Sequence, residues 1–213
     1  MGFRTYICSS FLALLSCSAH VAFAQYELPA ETRNFVWFTP STASTINGIG
    51  IGPANSGNGR TAPLDQTING LQIELPGMRS LKFPLEIPEP RYLRSITAKQ
   101  GEVTVNGLLA AVSGSSGVDR INGAFVTAFF GFAREVNGVS INPVNFVGKV
   151  DGVALGLVNN ILEGGGASIG IFNNCEEFSG TQIGLINIRK RGDGPQIGLI
   201  NISGGRFLPF LNF

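Results

Sequence analysis

The second half of the chain alternates apolar and polar residues in short segments that recur along the sequence. The segment from Gln182 to Asn187 (QIGLIN) is typical, because Ile183 and Leu185 alternate in it with Gln182 and Gly184. Alternation with a period of two predicts a β-strand, whose successive side chains point to opposite faces. A run bounded so closely by Gly and Asn is too short for a helix. Each recurring segment is therefore predicted to hold one short strand, with a second, weaker strand in the rest of the repeat.

The interval between these segments is 14 residues. Each copy begins with a glycine, and these are Gly138, Gly152, Gly166, Gly180 and Gly194. Each copy ends in an asparagine, and these are Asn145, Asn159, Asn173, Asn187 and Asn201. A strict period over five copies indicates a repeat architecture. Weaker copies begin at Gly48, Gly70, Gly107 and Gly123. Because Asn or Asp precedes most of these glycines, and Asn-Gly is typical of tight turns, the five glycines are predicted to form the repeat turns.

A single repeat buries too little apolar surface to offset the entropy lost when its residues become ordered, so the repeats must stack on one another. The predicted fold class is all-β, a β-solenoid-like array of ~14-residue units in which the five asparagines form a structural ladder with amide-to-amide hydrogen bonds. Two alternatives remain open. One is an open antiparallel meander of small hairpins, and the other is a small outer-membrane β-barrel, whose strands need ~9–11 residues.

Residues 1–24 have the features of a secretory signal peptide. Arg4 supplies the positive charge, an apolar stretch follows, and Ala22-Phe-Ala24 is an A-x-A cleavage site. Cleavage there makes Gln25 the first residue of the mature chain. A competing interpretation is lipidation at Cys17, because Leu14-Leu-Ser-Cys17 resembles a bacterial lipobox. Both routes predict export to the bacterial cell envelope, that is, the periplasm, the outer membrane or the cell surface.

The rest of the chain divides into two predicted parts. Residues 25–47 contain the aromatic run Phe35–Phe38 and are predicted to be an N-terminal capping segment. Residues 48–213 are predicted to form one β-repeat domain. Residues 76–100 carry four prolines and interrupt the repeat, so they are predicted to be an extended excursion over the array.

Charge and composition then narrow the function classes. Removing residues 1–24 removes only Arg4, so the 15 Lys and Arg fall to 14 and balance the 14 Asp and Glu. Charged residues are only 14% of the chain. A neutral, weakly charged protein is not expected to bind nucleic acid, which attracts basic surfaces.

Few residues are candidates for catalysis. The only histidine, His20, lies in the predicted signal peptide, so no histidine-based triad or histidine metal ligand is expected in the mature chain. Cys175 is then the only thiol, and the adjacent Glu176 and Glu177 are expected to disfavour its thiolate. No catalytic residue, metal site or cofactor is predicted from these residues.

Two charged segments complete the search. Arg189-Lys-Arg191 is expected to form a charged, solvated turn. Glu86 and Glu89 in the proline-rich segment leave one enzymatic alternative open, a hydrolase that uses a carboxylate pair.

The copies at 180–187 (GTQIGLIN) and 194–201 (GPQIGLIN) resemble an uncharacterised family of bacterial surface repeat proteins with tandem G-x-Q-I-G-L-I-N units. Two earlier copies depart from the pattern, with Thr127 and Asn142 in place of the second glycine. The resemblance implies a repetitive β fold and an envelope location, and it implies no reaction.

The function expected from the sequence is that of a non-enzymatic, exported envelope repeat protein. It would act as a structural scaffold or as an interaction surface for another macromolecule or a glycan. The main alternative is a small outer-membrane β-barrel protein, which would explain an association with the outer membrane.

Overall fold

The computed structural model describes residues 31–39, 41–52, 65–74, 102–112 and 118–213. Residues 1–24 with Cys17, and residues 76–100 with Glu86 and Glu89, lie outside the described residues. All regular secondary structure in the described part is β-strand. The strands are β1 Thr32–Phe38, β2 Thr45–Ile51, β3 Gln66–Glu74, β4 Val103–Ala111, β5 Arg120–Thr127, β6 Phe130–Ile141, β7 Val144–Leu155, β8 Val158–Ile169, β9 Phe172–Ile183, β10 Ile186–Arg191, β11 Gln196–Ser203 and β12 Arg206–Asn212.

The strands form one sheet whose order follows the sequence, and successive strands from β1 to β11 are parallel. This arrangement is a β-solenoid of about nine turns with a spacing of about 14 residues, which confirms the predicted fold class. The meander and the barrel both require antiparallel neighbours, so these two alternatives are wrong. Among the described strands, β12 alone is antiparallel to its neighbour, β11, and it ends the stack.

The strands stack in register, so each residue lies beside its counterpart in the next turn. The glycines that begin the repeats, including the weaker copies, therefore form one continuous column across the sheet from Gly48 to Gly180. The prediction that these glycines form turns is wrong for Gly138, Gly152, Gly166 and Gly180, which lie inside β6 to β9. Gly194 does lie outside the strands, in the bend between β10 and β11. Gly152 has a φ of +143°, and a Cβ there would collide with the carbonyl oxygen of Gly138. These glycines change the direction of a strand without interrupting its hydrogen bonds.

The turn between successive strands lies at a different position in the repeat from the predicted one. The structure breaks the predicted strand 182–187 in its middle, because β9 ends at Ile183 and β10 begins at Ile186. Gly184 and Leu185 form the corner between them. The predicted second, weaker strand is part of the same continuous element, and β6 to β9 each have 12 residues.

The interior changes character along the stack. In the N-terminal turns it is mostly apolar, with one column made of Ile46, Ile68, Val105, Ile121, Val136 and Val150, all fully buried, although Gln66 and Gln72 are buried there as well. In the C-terminal turns most buried positions carry amides, hydroxyls and one cation, while Ile161, Cys175 and Phe178 keep an apolar contribution. The polar set is Asn145, Asn159, Ser168, Asn173, Gln182, Asn187, Arg189, Gln196 and Asn201. Side-chain hydrogen bonding between turns therefore gains weight over apolar packing toward the C-terminus.

The two ends of the stack differ. β1, from the predicted capping segment, is the first strand, and it leaves Phe35, Val36 and Phe38 exposed. At the other end, β12 covers the buried amides, and the Nδ2 of Asn212 donates to the Oε1 of Gln196 at 2.6 Å.

Arg189 corrects the expectation of a charged, solvated turn. Its side chain is only 2% exposed. The guanidinium donates to the carbonyl oxygens of Asp193 at 2.6 Å and Gly194 at 2.8 Å, and its Nε donates to the hydroxyl of Ser203 at 3.3 Å. Burial lowers the pKa of Arg189, as expected for a cation removed from water. Lys190, in contrast, points outward and pairs with Glu176 at 2.9 Å.

We predict that Arg189→Ala lowers the free energy of unfolding by about 3 kcal/mol, because it leaves a cavity and several carbonyls without a donor. Lys190→Ala is the matched control. It removes an exposed ion pair and should cost less than about 1 kcal/mol. Urea unfolding of the mature protein, followed by circular dichroism, measures both. An equal decrease in the free energy of unfolding in the two variants would contradict the structural role of the buried Arg189 guanidinium.

Candidate functional site: an exposed aliphatic edge

Aliphatic side chains form two parallel rows on the surface of the C-terminal turns. The first row is Ile141, Leu155, Ile169, Ile183 and Ile197, and the second row is Leu157, Ile171, Leu185 and Leu199. Between the rows lies a column of glycines, Gly156, Gly170, Gly184 and Gly198. We define these residues together as the aliphatic edge. Seven of the nine aliphatic side chains are between 39% and 56% exposed, and Leu155 and Ile169 are half-buried.

The polarity of this part of the sheet is opposite to the usual one. Ile183 and Leu185 point to solvent, whereas the side chain of Gln182, the residue before Ile183 in β9, is fully buried in the interior of the stack. The buried glutamines satisfy each other, since the Nε2 of Gln196 donates to the Oε1 of Gln182 at 2.6 Å. A buried polar group is costly only when it lacks a partner. In-register stacking supplies that partner, and the alternation of the strand then places the aliphatic residues outside.

The glycines between the rows make the floor of a shallow groove of about 980 Å³. All residues of the aliphatic edge except Ile141 and Leu157 line it, together with Phe210 and Leu211 of β12. No larger residue fits the floor. A Cβ on Gly184 would collide with the carbonyl oxygen of Gly170 and would come within 2.6 Å of the Nδ2 of Asn173. The preceding turn has Asn142 at the corresponding position, and its buried side chain donates to the Oδ1 of Asn145 at 2.6 Å. The departure from the glycine pattern at Asn142 therefore ends the glycine floor.

The ladder of asparagines lies directly beneath this groove. Each Nδ2 donates to the Oδ1 of the next asparagine, with distances of 2.7 to 2.8 Å along Asn145, Asn159, Asn173, Asn187 and Asn201. The same amides also donate to backbone carbonyls of the first aliphatic row. Asn159 bonds to Ile169 and Asn173 bonds to Ile183, both at 3.0 Å. The buried ladder therefore fixes the backbone that displays the aliphatic edge.

A second ladder escaped the sequence analysis. Asn34, Asn47, Asn69, Asn106, Asn122 and Asn137 bond through their side-chain amides at 2.8 to 3.1 Å. Four of its six members are exposed, and all lie in the N-terminal turns. The Asn-Gly pairs gave a signal for it, but they were interpreted as turn residues. Unequal spacing between the N-terminal turns concealed the register.

The two ladders allow a direct test of burial. We predict that Asn173→Ala lowers the free energy of unfolding by about 2–3 kcal/mol, because it removes the acceptor for one N–H of the buried Asn159 amide and the donor to the buried Oδ1 of Asn187. Asn106→Ala removes the same kind of amide-to-amide bond at an exposed position and should cost less than about 1 kcal/mol. Urea unfolding measures the difference, and losses of similar size would contradict a dominant role of the buried ladder.

Charged side chains occupy a separate column at mid-strand. The column contains Arg120, Glu135, Lys149, Glu163, Glu177 and Arg191, stacked in register. Arg120 pairs with Glu135 at 3.0 Å, and Arg191 pairs with Glu177 at 2.9 Å. Burial raises the pKa of Glu135, but the hydrogen bonds from Arg120 and Asn137 outweigh it and lower the pKa overall. The aliphatic edge itself contains no charged residue.

Cys175 is fully buried in the interior. Burial raises the pKa of its thiol to about 12, and a contact from Gln182 at 3.2 Å opposes this only in part. The sequence predicts that the charges of Glu176 and Glu177 disfavour the thiolate. The structure gives burial as the main cause. A buried neutral thiol is a poor nucleophile.

We predict that iodoacetamide alkylates Cys175 in the folded protein at pH 8 at least about a hundredfold more slowly than in urea, because burial suppresses both access and the thiolate. Mass spectrometry measures the rate. The unfolded thiol ionises near its ordinary pKa of 9.0, so its contribution to stability is complete below pH 9 and is lost as the pH rises toward 12. Rapid labelling of the folded protein at pH 8 would contradict this burial.

Among the described residues, no helix could span a membrane, and no three His, Cys, Asp or Glu side chains are grouped as metal ligands. No protein-family model matches the chain, and neither a curated protein nor a solved structure is significantly similar to it.

Proposed function

We propose that this chain is an exported bacterial envelope protein that acts without catalysis, as a rigid scaffold that displays the aliphatic edge as an interaction surface. The main support for this proposal is that aliphatic side chains remain exposed in register over consecutive turns, while the amides beside them are buried. Contiguous exposed apolar patches are typical of sites that bind another molecule.

Rigidity supports the role of a scaffold. Each strand from β7 to β11 is hydrogen-bonded to both neighbours, and the asparagine ladder adds side-chain bonds along the same direction. Binding to such a surface costs little conformational entropy, because the aliphatic side chains stand on a backbone that is already fixed.

The surface also favours one kind of partner. An uncharged aliphatic groove suits an apolar surface of another macromolecule better than a glycan, whose hydroxyl groups need hydrogen-bond partners. The exposed ladder of asparagines on the N-terminal turns is the polar surface that a glycan would contact. Nucleic acid is not an expected partner, because the mature chain has equal numbers of acidic and basic residues.

Export is supported by the sequence features of residues 1–24 and by the resemblance to surface repeat proteins. Cleavage after Ala24 gives a protein that begins at Gln25, whereas lipidation at Cys17 anchors it to a membrane. An outer-membrane association is therefore proposed only through a lipid on Cys17.

The experiment is expression of the full chain in a Gram-negative host, followed by cell fractionation and mass spectrometry of the mature N-terminus. We expect the protein in the envelope fraction with Gln25 first. Cys17→Ser should leave this product unchanged, and Ala24→Leu should block its formation. A lipidated product that Cys17→Ser abolishes would establish the alternative processing. Uncleaved protein retained in the cytoplasm would contradict the proposed function.

A further inference from the structure

We infer that the aliphatic edge binds the same edge of a second copy of this chain, so that two solenoids pack side by side about a two-fold axis. The inference deepens the proposed function and rests on it, since it identifies the partner of the proposed interaction surface.

A strand-like peptide does not fit the edge, because the backbone groups there already have partners within the stack. The amide nitrogens of Gly156, Gly170 and Gly184 donate to the carbonyl oxygens of Ile169, Ile183 and Ile197, at 2.9 to 3.0 Å. Addition of a β-strand needs free donors and acceptors along an open edge. The partner must therefore contribute apolar side chains and not a hydrogen-bonded backbone.

A second copy offers such side chains with the same repeat distance. Neighbouring strands lie ~4.8 Å apart, so the rows of two copies have equal spacing and interdigitate without losing register. In an antiparallel pairing about a two-fold axis, Ile171 of one copy faces Leu185 of the other, and Leu157 faces Leu199. The glycine floor between the rows leaves space for the opposing side chains.

Charge also favours self-association. In a two-fold dimer, a charge near the axis faces its own copy, and the resulting repulsion weakens the contact. The aliphatic edge carries no charged residue, and the charged column with Lys149 and Glu163 lies at mid-strand. A membrane surface is less favoured as a partner. Peripheral segments that bind lipid combine apolar residues with Lys or Arg, and the aliphatic edge contains no Lys and no Arg.

The size of the surface predicts a weak dimer. The edge continues onto β12, where Phe210 is 67% and Leu211 is 50% exposed. From Leu155 to Leu211 the exposed rows extend over ~19 Å, which is short for a standard interface and places the contact among small, transient ones. We therefore expect a dissociation constant of roughly micromolar size.

The test is sedimentation of the mature protein over a concentration series. The wild-type chain should dimerise, and Leu185→Lys should raise the dissociation constant at least about tenfold, because it places a cation in an apolar contact. Ser179→Lys is the matched control, since Ser179 is exposed in the same region but lies off the edge, and it should dimerise normally. Circular dichroism checks that each variant keeps its β structure.

Disulfide cross-linking tests the register independently of Leu185→Lys. When Ile171→Cys and Leu185→Cys proteins are mixed and oxidised, we expect cross-links between the two variants, and none with Ser179→Cys. The native Cys175 is buried and should not react.

Three results would overturn the inference: a wild-type chain that is monomeric throughout, a dimer that Leu185→Lys leaves unchanged, or binding of a monomer to phosphatidylcholine and phosphatidylglycerol vesicles. None of these results alters where the chain is processed, so export with a correctly cleaved N-terminus would leave the proposed function in place.

Discussion

In-register stacking of identical side chains is the constraint on which the rest of this structure depends. In a parallel β-stack, each residue lies ~4.8 Å from its counterpart in the next turn, so an amide can both donate to one neighbour and accept from the other. The ladder through Asn145, Asn159, Asn173, Asn187 and Asn201 satisfies buried amides in this way. The same constraint requires glycine where the backbones of successive turns approach too closely for a Cβ.

The geometry of the strands also explains why aliphatic side chains are exposed beside the buried amides. Strand alternation allows only one of two neighbouring residues to point inward. In the C-terminal turns, Gln182 and Gln196 occupy the inward positions and bond to each other, so Ile183 and Ile197 must point outward. The same column points inward in every turn, and it carries Leu109 and Phe125 in the N-terminal turns and Ala154 beside Leu155 of the edge. The outward position beside this column is aliphatic in the N-terminal turns as well, where Ile73 and Val126 are half-buried. Strand alternation therefore sets the aliphatic row, and buried amides accompany it in the last turns.

The sequence was sufficient to predict the period, an all-β repeat fold and the identity of the asparagines that stack in a solenoid, because a strict repeat makes each of these visible. It favoured the β-solenoid but left the meander and the barrel open, since the period alone does not fix whether neighbouring strands are parallel. It did not predict which face is buried. Apolar residues are usually internal, and this rule fails for Ile183 and Leu185 because the inward position between them and the core belongs to Gln182, whose amide accepts from Gln196 in the next turn. Arg189 was misjudged because a run of basic residues usually faces solvent, whereas the chain that follows it folds back so that the carbonyls of Asp193 and Gly194 accept from its guanidinium. The second asparagine ladder was missed because its members are unequally spaced in sequence.

Repetition links the size of the candidate site to the length of the stack. Each additional 14-residue repeat adds one asparagine to the buried ladder, one glycine to the floor and two aliphatic side chains to the edge. The stability of the stack and the area of the apolar surface therefore increase together, by about one strand spacing per repeat. A change that weakens the ladder should also disorder the surface above it, because Asn173 bonds to the carbonyl of Ile183 in the first aliphatic row. The aliphatic edge can therefore grow by the addition of repeats. Each added repeat needs no new local structure, because it is another copy of the same hydrogen-bonded turn.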